Sequence, residues 1–165
     1  MKNEFINHSI YYIKLNIPRV EKCFAQLTEE QIWSRPNKNS NSIGNLILHL
    51  CGNVTQYIIS GLGNTIDNRK RDEEFSTETS LDKKELLSKF NHTLHKALEI
   101  IEAQKESDLT ESLTLQGFNH TRISAIIHVT EHLSYHVGQI AYITKMFTDS
   151  SLDFYGGINL NIKNK

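Results

Sequence analysis

The sequence predicts an all-α four-helix bundle. Four long segments carry apolar residues at helical spacing, no segment alternates convincingly as a strand, and five of the eight glycines fall outside the periodic segments. The 165 residues suit one compact domain spanning 1–165, with no internal repeat or low-complexity tract.

The first helix is expected from Phe5 to Leu27, where Ile6, Ile10, Ile13, Ile17, Phe24 and Leu27 recur at helical spacing. Pro18 falls inside it and predicts a kink or break, because proline removes a backbone donor and crowds the preceding turn. Thr28-Glu-Glu-Gln31 fits a capping box that starts a short piece ending at Trp33, and Arg35 to Asn39 is a loop. The second long helix runs from Ser42 to Ile59 on Ile43, Leu46, Ile47, Leu50, Val54, Tyr57 and Ile58, with Gly61 and Gly63 ending it. Asn64 to Thr79 is polar and charged and reads as a long loop. Leu81 to Ala103 is the third helix, with Leu86, Leu87, Phe90, Leu94, Leu98 and Ile101 inward. Glu106 to Asn119 is a loop with room for a short extended piece. Thr121 to Phe147 is the fourth helix, about seven turns long. The Gly- and Asn-rich tail after Ser150 is expected to be peripheral.

Composition narrows the function classes. A hydrophobic content of 38% supports one core but not a membrane protein, and no apolar run approaches the roughly 18–20 residues that span a bilayer. Met1-Lys2-Asn3-Glu4-Phe5 lacks the apolar stretch of a signal peptide, so we expect a cytoplasmic protein. The net charge of −1, from 18 basic and 19 acidic residues, gives no footprint for nucleic acid or anionic lipid. Cys23 and Cys51 are too few for a disulfide framework and read as buried, reduced thiols.

The chemistry-bearing residues are histidines. His128, His132 and His136 are spaced four apart along the fourth helix, so neighbours stand one turn apart on one face. His128 and His136 are separated by about 12 Å of helical rise. With metal–nitrogen bonds of about 2 Å, one ion takes at most one adjacent pair, 128/132 or 132/136. His128-Val-Thr-Glu131-His132 matches the H-x-x-E-H pattern, in which Glu131 would be a general base. That short pattern arises easily in a histidine-rich helix, and no suitable downstream carboxylate follows within the helix. The 132/136 pair has Tyr135 and Gln139 nearby to bond ligand nitrogens, water or substrate. Glu131, Tyr135 and Gln139 are therefore the candidate catalytic residues. If the second helix packs beside the fourth, His49 joins the pair as a third imidazole and leaves coordination positions open for chemistry. Spacing alone also allows each histidine a half-buried packing role. His92 and His95 fall near the polar side of the third helix, and His8 and His120 flank helix starts.

Longer stretches carry a family resemblance. Asn41-Ser-Ile-Gly-Asn-Leu-Ile-Leu-His49-Leu-Cys-Gly-Asn53, the segment Asp67-Asn-Arg69-Lys-Arg71-Asp72-Glu-Glu74-Phe75, and His128-Val-Thr-Glu-His132-Leu-Ser-Tyr-His136-Val-Gly-Gln139 together resemble the DinB/YfiT-like superfamily. The resemblance covers nearly the whole chain and is closest to an uncharacterised bacterial branch. It implies a DinB-like four-helix bundle of up-down-down-up type with long connecting loops. It also implies a three-histidine site at His49, His132 and His136 for one divalent metal: zinc or nickel first, iron or manganese next. Members of the superfamily are often homodimers, and characterised relatives use low-molecular-weight thiols.

Three functions are weighed. The first is a thiol-dependent S-transferase acting on a small electrophile, in which the metal lowers the pKa of a cofactor thiol and no protein cysteine is needed. The second is a hydrolase using metal-activated water, which needs a neighbouring acid or base, for which the sequence offers Glu131, Tyr135 or an acid from the 67–74 segment. The third is a metal or small-molecule binding protein without turnover. In each the partner is a small molecule, with neither nucleic acid nor membrane. The 67–74 segment reads either as a solvated loop with exposed ion pairs or as a source of Arg69 or Arg71 for an anionic substrate group, a task guanidinium suits.

Overall fold

The computed structural model describes residues 2–164, so Met1 and Lys165, the ends of the expected 1–165 domain, lie outside it. The long helices are α1 (Lys2–Gln26), α3 (Ile43–Val54), α5 (Lys83–Glu102) and α6 (Arg122–Thr148), with short helices α2 (Glu29–Trp33) and α4 (Arg71–Ser76) in the connections. The result is an all-α DinB-like bundle. α1 packs on α5 and α6, and α3 packs on α5, α6 and α4. Ile13, Phe24, Ile47, Leu50, Phe90, Leu94, Ile126 and Leu133 lie at the centre of one hydrophobic cluster. No helix among the described residues is long and apolar enough to cross a membrane.

Local chemistry sets the helix starts. Thr28, Ser42, Asp82 and Thr121 each cap a helix, their side chains accepting from the backbone N–H three residues on while that residue's side chain bonds back. The Thr28–Gln31 box agrees with the sequence reading.

Four features differ from the sequence expectations, and the extended piece expected within 106–119 takes the form of a hairpin. α1 runs through Pro18 without a break. Ile13, Val20, Cys23 and Phe24 bury both halves of the helix in one core, which offsets the roughly 3 kcal/mol cost of an interior proline. α3 continues as a π-helical segment, Thr55–Leu62, closed by Gly63 N–H donating to the Ile58 carbonyl at 3.0 Å. The polar 64–79 connection contains α4. The 106–119 connection contributes a hairpin, β1 (Ser112–Leu115) and β2 (Phe118–Thr121), antiparallel with Ser112 opposite Thr121 and Leu115 opposite Phe118. Its turn residues Gln116 and Gly117 have φ of 52° and 82°, the positive values that suit a tight hairpin. Finally, the tail is not wholly peripheral, because Leu152 is buried against the core.

Candidate metal centre

α3 and α6 face each other so that the Asn53 and His49 levels of α3 meet the His128 and His132 levels of α6. His49 Nε2 lies 2.9 Å from His132 Nε2, and Asn53 Nδ2 lies 3.2 Å from His128 Nε2. One turn further along α6, the His136 ring stands edge-on to His49, centroids 5.0 Å apart. One ring nitrogen from each of His49, His132 and His136 can be chosen so that all three lie within 4.8 Å of one another.

Hydrogen bonds on the far side of two rings fix which nitrogen faces inward. His49 Nδ1 is 3.0 Å from Glu74 Oε2 and 3.2 Å from Arg69 Nη2; the ionised carboxylate only accepts and is the nearer partner, so Nδ1 carries the proton and leaves Nε2 with a lone pair. His136 Nδ1 donates to Gln139 Oε1 at 2.7 Å with the same consequence. Three imidazoles presenting ring nitrogens to one point are a donor set for a divalent ion, and tetrahedral bonds of about 2.0–2.1 Å place ligand nitrogens roughly 3.3 Å apart. The donors present therefore fit a divalent ion.

Glu74, one acid of the 67–74 segment, holds His49, a role that the sequence pattern does not assign to it. α4 brings it to α3, where Arg69 holds it as a fork: Arg69 Nε donates to Oε1 at 2.7 Å and Nη2 to Oε2 at 2.9 Å. Gly52 makes this possible, since a Cβ there would collide with Glu74 Oε1 and stand 2.9 Å from Arg69 Nε. Burial by itself raises the Glu74 pKa; the hydrogen bonds from Arg69 and His49 outweigh it and hold the carboxyl below its ordinary value. Burial, and then the neighbouring His136 and His49, push His132 down to about 3. Burial also lowers His136. His132 and His136 are thus neutral around pH 7.

The other candidates fall in different places. Arg69 is not a free cation at a mouth, nor part of an exposed pair: its side chain is 3% exposed and committed to Glu74 and Gln56. Arg71 is exposed, with its guanidinium 4.9 Å over the Phe75 ring, which in turn packs on His49 at 4.8 Å. Glu131 is exposed and lines a groove between α1 and α6, whereas Tyr135, also exposed, stands edge-on to His136 with centroids 4.9 Å apart and lines a second groove with Gln139 and Leu46 of α3. Gln139 is in the site, as the acceptor for His136. His128 is outside the triad, stacked on Tyr57 at 4.2 Å and lined up behind His132 at 5.3 Å. Cys23 and Cys51 are buried thiols, and burial pushes Cys51 up to about 12, so it is no nucleophile.

Beside His49 and His132 lies a cavity of about 430 Å³, with Asn53 and His128 on one side and Gln116 and Phe118 of the hairpin on another. Tyr57 OH donates to Gln116 Oε1 at 3.2 Å and ties the hairpin turn to the π-helical segment.

The family described as "Protein of unknown function (DUF1572)" matches residues 1–155. That family is DinB/YfiT-like in general. No curated protein matches the chain. Among solved structures, "Crystal structure of the conserved protein of locus from Enterococcus faecalis" is similar at 16% identity and a TM-score of 0.75, over 87% of this chain and 97% of that one. At that identity the likeness speaks for the fold.

Proposed function

The chain belongs to the DUF1572 family, and from its histidine centre we propose that it is a divalent-metal-dependent enzyme, a thiol S-transferase acting on a small electrophile. The observation that carries the reading is the convergence of His49, His132 and His136, with His49 and His136 each oriented by a hydrogen bond from Nδ1. Imidazole donors suit zinc, nickel and iron, and manganese less. A divalent ion held there, with positions open toward the cavity, lowers the pKa of a low-molecular-weight thiol or of water.

The residues around the centre favour the thiol. Hydrolysis calls for a side chain that moves the water's proton, yet no carboxylate lines the cavity beside His49 and His132 among the described residues. Glu74 is locked in the Arg69 fork, and Glu131 lies in the groove on the α1 side. A thiolate needs no such base once its proton has gone to solvent. Its sulfur attacks the electrophilic carbon, the S–C bond forms, and the leaving group departs with the bonding pair.

The test is a metal-loaded assay with cysteine as thiol and 1-chloro-2,4-dinitrobenzene as electrophile. The S–C bond forms, the C–Cl bond breaks, chloride leaves, and the thiol proton passes to buffer. Zinc- or nickel-loaded protein is expected to form the thioether at a rate that His132→Ala removes. Hydrolysis of p-nitrophenyl acetate by the loaded protein, with no thioether formed, would favour the hydrolase instead.

A further inference from the structure

The cavity beside the histidines has an unbalanced lining. Its two arginines differ in kind: Glu74 neutralises Arg69 from behind, whereas Arg71 makes no ion pair and no side-chain hydrogen bond among the described residues. With no carboxylate in the lining, the wall carries one uncompensated positive charge. A single guanidinium offers two parallel N–H donors, the geometry that a carboxylate accepts. A phosphate dianion would leave one charge unmatched in so small a space.

Two further observations describe the rest of the ligand. Asn53 is 4% exposed, its Nδ2 faces His128, and its Oδ1 has no hydrogen-bond partner. Buried amide oxygens are nearly always satisfied, and Asn53 lines the cavity, so a turn of its amide would give this oxygen an N–H or O–H of a bound molecule. Phe118, 65% exposed, also lines the cavity, on the hairpin that Tyr57 and Gln116 hold in place. An exposed aromatic ring at a cavity rim is a surface for an apolar group. The cavity volume is within the range of small-molecule sites.

We propose that this cavity binds a small carboxylate, with the carboxylate on Arg71, an N–H or O–H directed to Asn53, and an apolar part against Phe118. The inference rests on the proposed function in taking this cavity as the substrate side of the metal centre, and it names the class of substrate found there.

Hippurate carries all three elements, and its neutral amide, hippuramide, lacks only the charge. Each is titrated into chelator-treated and into zinc-loaded protein while the backbone amides of Gly117 and Phe118 are followed by NMR. Saturable shifts with hippurate are expected in both forms, with hippuramide at least tenfold weaker. Arg71→Gln should weaken hippurate at least tenfold, Arg71→Lys should restore part of it, and neither should alter zinc stoichiometry. Equal binding of the two probes overturns the proposal. So does unchanged affinity in Arg71→Gln, binding that requires zinc, or no saturable shift with hippurate. The outcomes separate the two readings. Arg71-dependent hippurate binding in a protein that takes up no metal leaves this inference standing and sinks the enzyme, whereas thioether formation with Arg71-independent hippurate binding does the reverse.

Discussion

Glu74 Oε2 accepts from His49 Nδ1 at 3.0 Å, and the same carboxylate is gripped by Arg69 through both of its oxygens. The contact links a buried ion pair to a histidine whose other nitrogen faces His132. It sets the proton on Nδ1, and so makes Nε2 the donor toward a metal.

Glu74→Gln keeps the shape and removes the charge that orients His49. Zinc affinity is expected to fall about 10- to 100-fold, read by competition with a chromophoric chelator. Glu74→Ala goes further, because it leaves the Arg69 guanidinium buried without a counter-ion and should destabilise the fold by roughly 3–5 kcal/mol in urea. Unchanged zinc affinity in the glutamine variant would show that this contact does not support the site.

The same carboxyl sets a pH dependence. Its pKa is lower in the folded chain than the roughly 4.3 of an unfolded glutamate, so the folded state favours the ionised form. The stability it contributes is full above that unfolded value and is lost as pH falls through the folded one. Urea midpoints of metal-free wild type and Glu74→Gln should therefore keep a constant gap above about pH 5 and converge below pH 4. A gap that ignores pH would contradict the pairing.

Gly52 admits the ion pair to the surface of α3. Alanine there gains about 1 kcal/mol of helix propensity but pushes against Glu74 and Arg69. The expectation is a folded protein with zinc affinity about tenfold lower, through the misplaced carboxylate. A variant that is more stable and binds zinc as tightly as wild type would mean that the fork has room to shift.

His128 and His132 separate the two sequence patterns. His132→Ala should remove stoichiometric metal and His128→Ala should leave it largely intact, since His128 stacks on Tyr57 and bonds Asn53 instead. Equal loss in both variants would restore the H-x-x-E-H reading.

The long helices and the histidine geometry were legible because their signals are local. The i, i+4 spacing puts His132 and His136 on one face, and the apolar stripe of the second helix turns His49 toward the same core. Pro18 misled, since a kink rule knows nothing of the packing on both of its sides. The Arg69–Glu74 fork was not legible, because it depends on a short helix within a charged connection and on the space above Gly52 on another element. Nor was the wall formed by Phe118, whose place depends on a four-residue strand pair and on Tyr57 holding Gln116 across the chain. Leu152 is a single buried anchor in a polar tail and leaves no periodic trace.

The most direct measurement is elemental analysis by ICP-MS of untagged protein, wild type beside His49→Ala. Near one equivalent of a divalent metal per chain in wild type, lost in the variant, is the result expected if α3 and α6 share one ion. No metal in wild type, even after incubation with zinc, nickel or manganese, or an undiminished equivalent in His49→Ala, would contradict it.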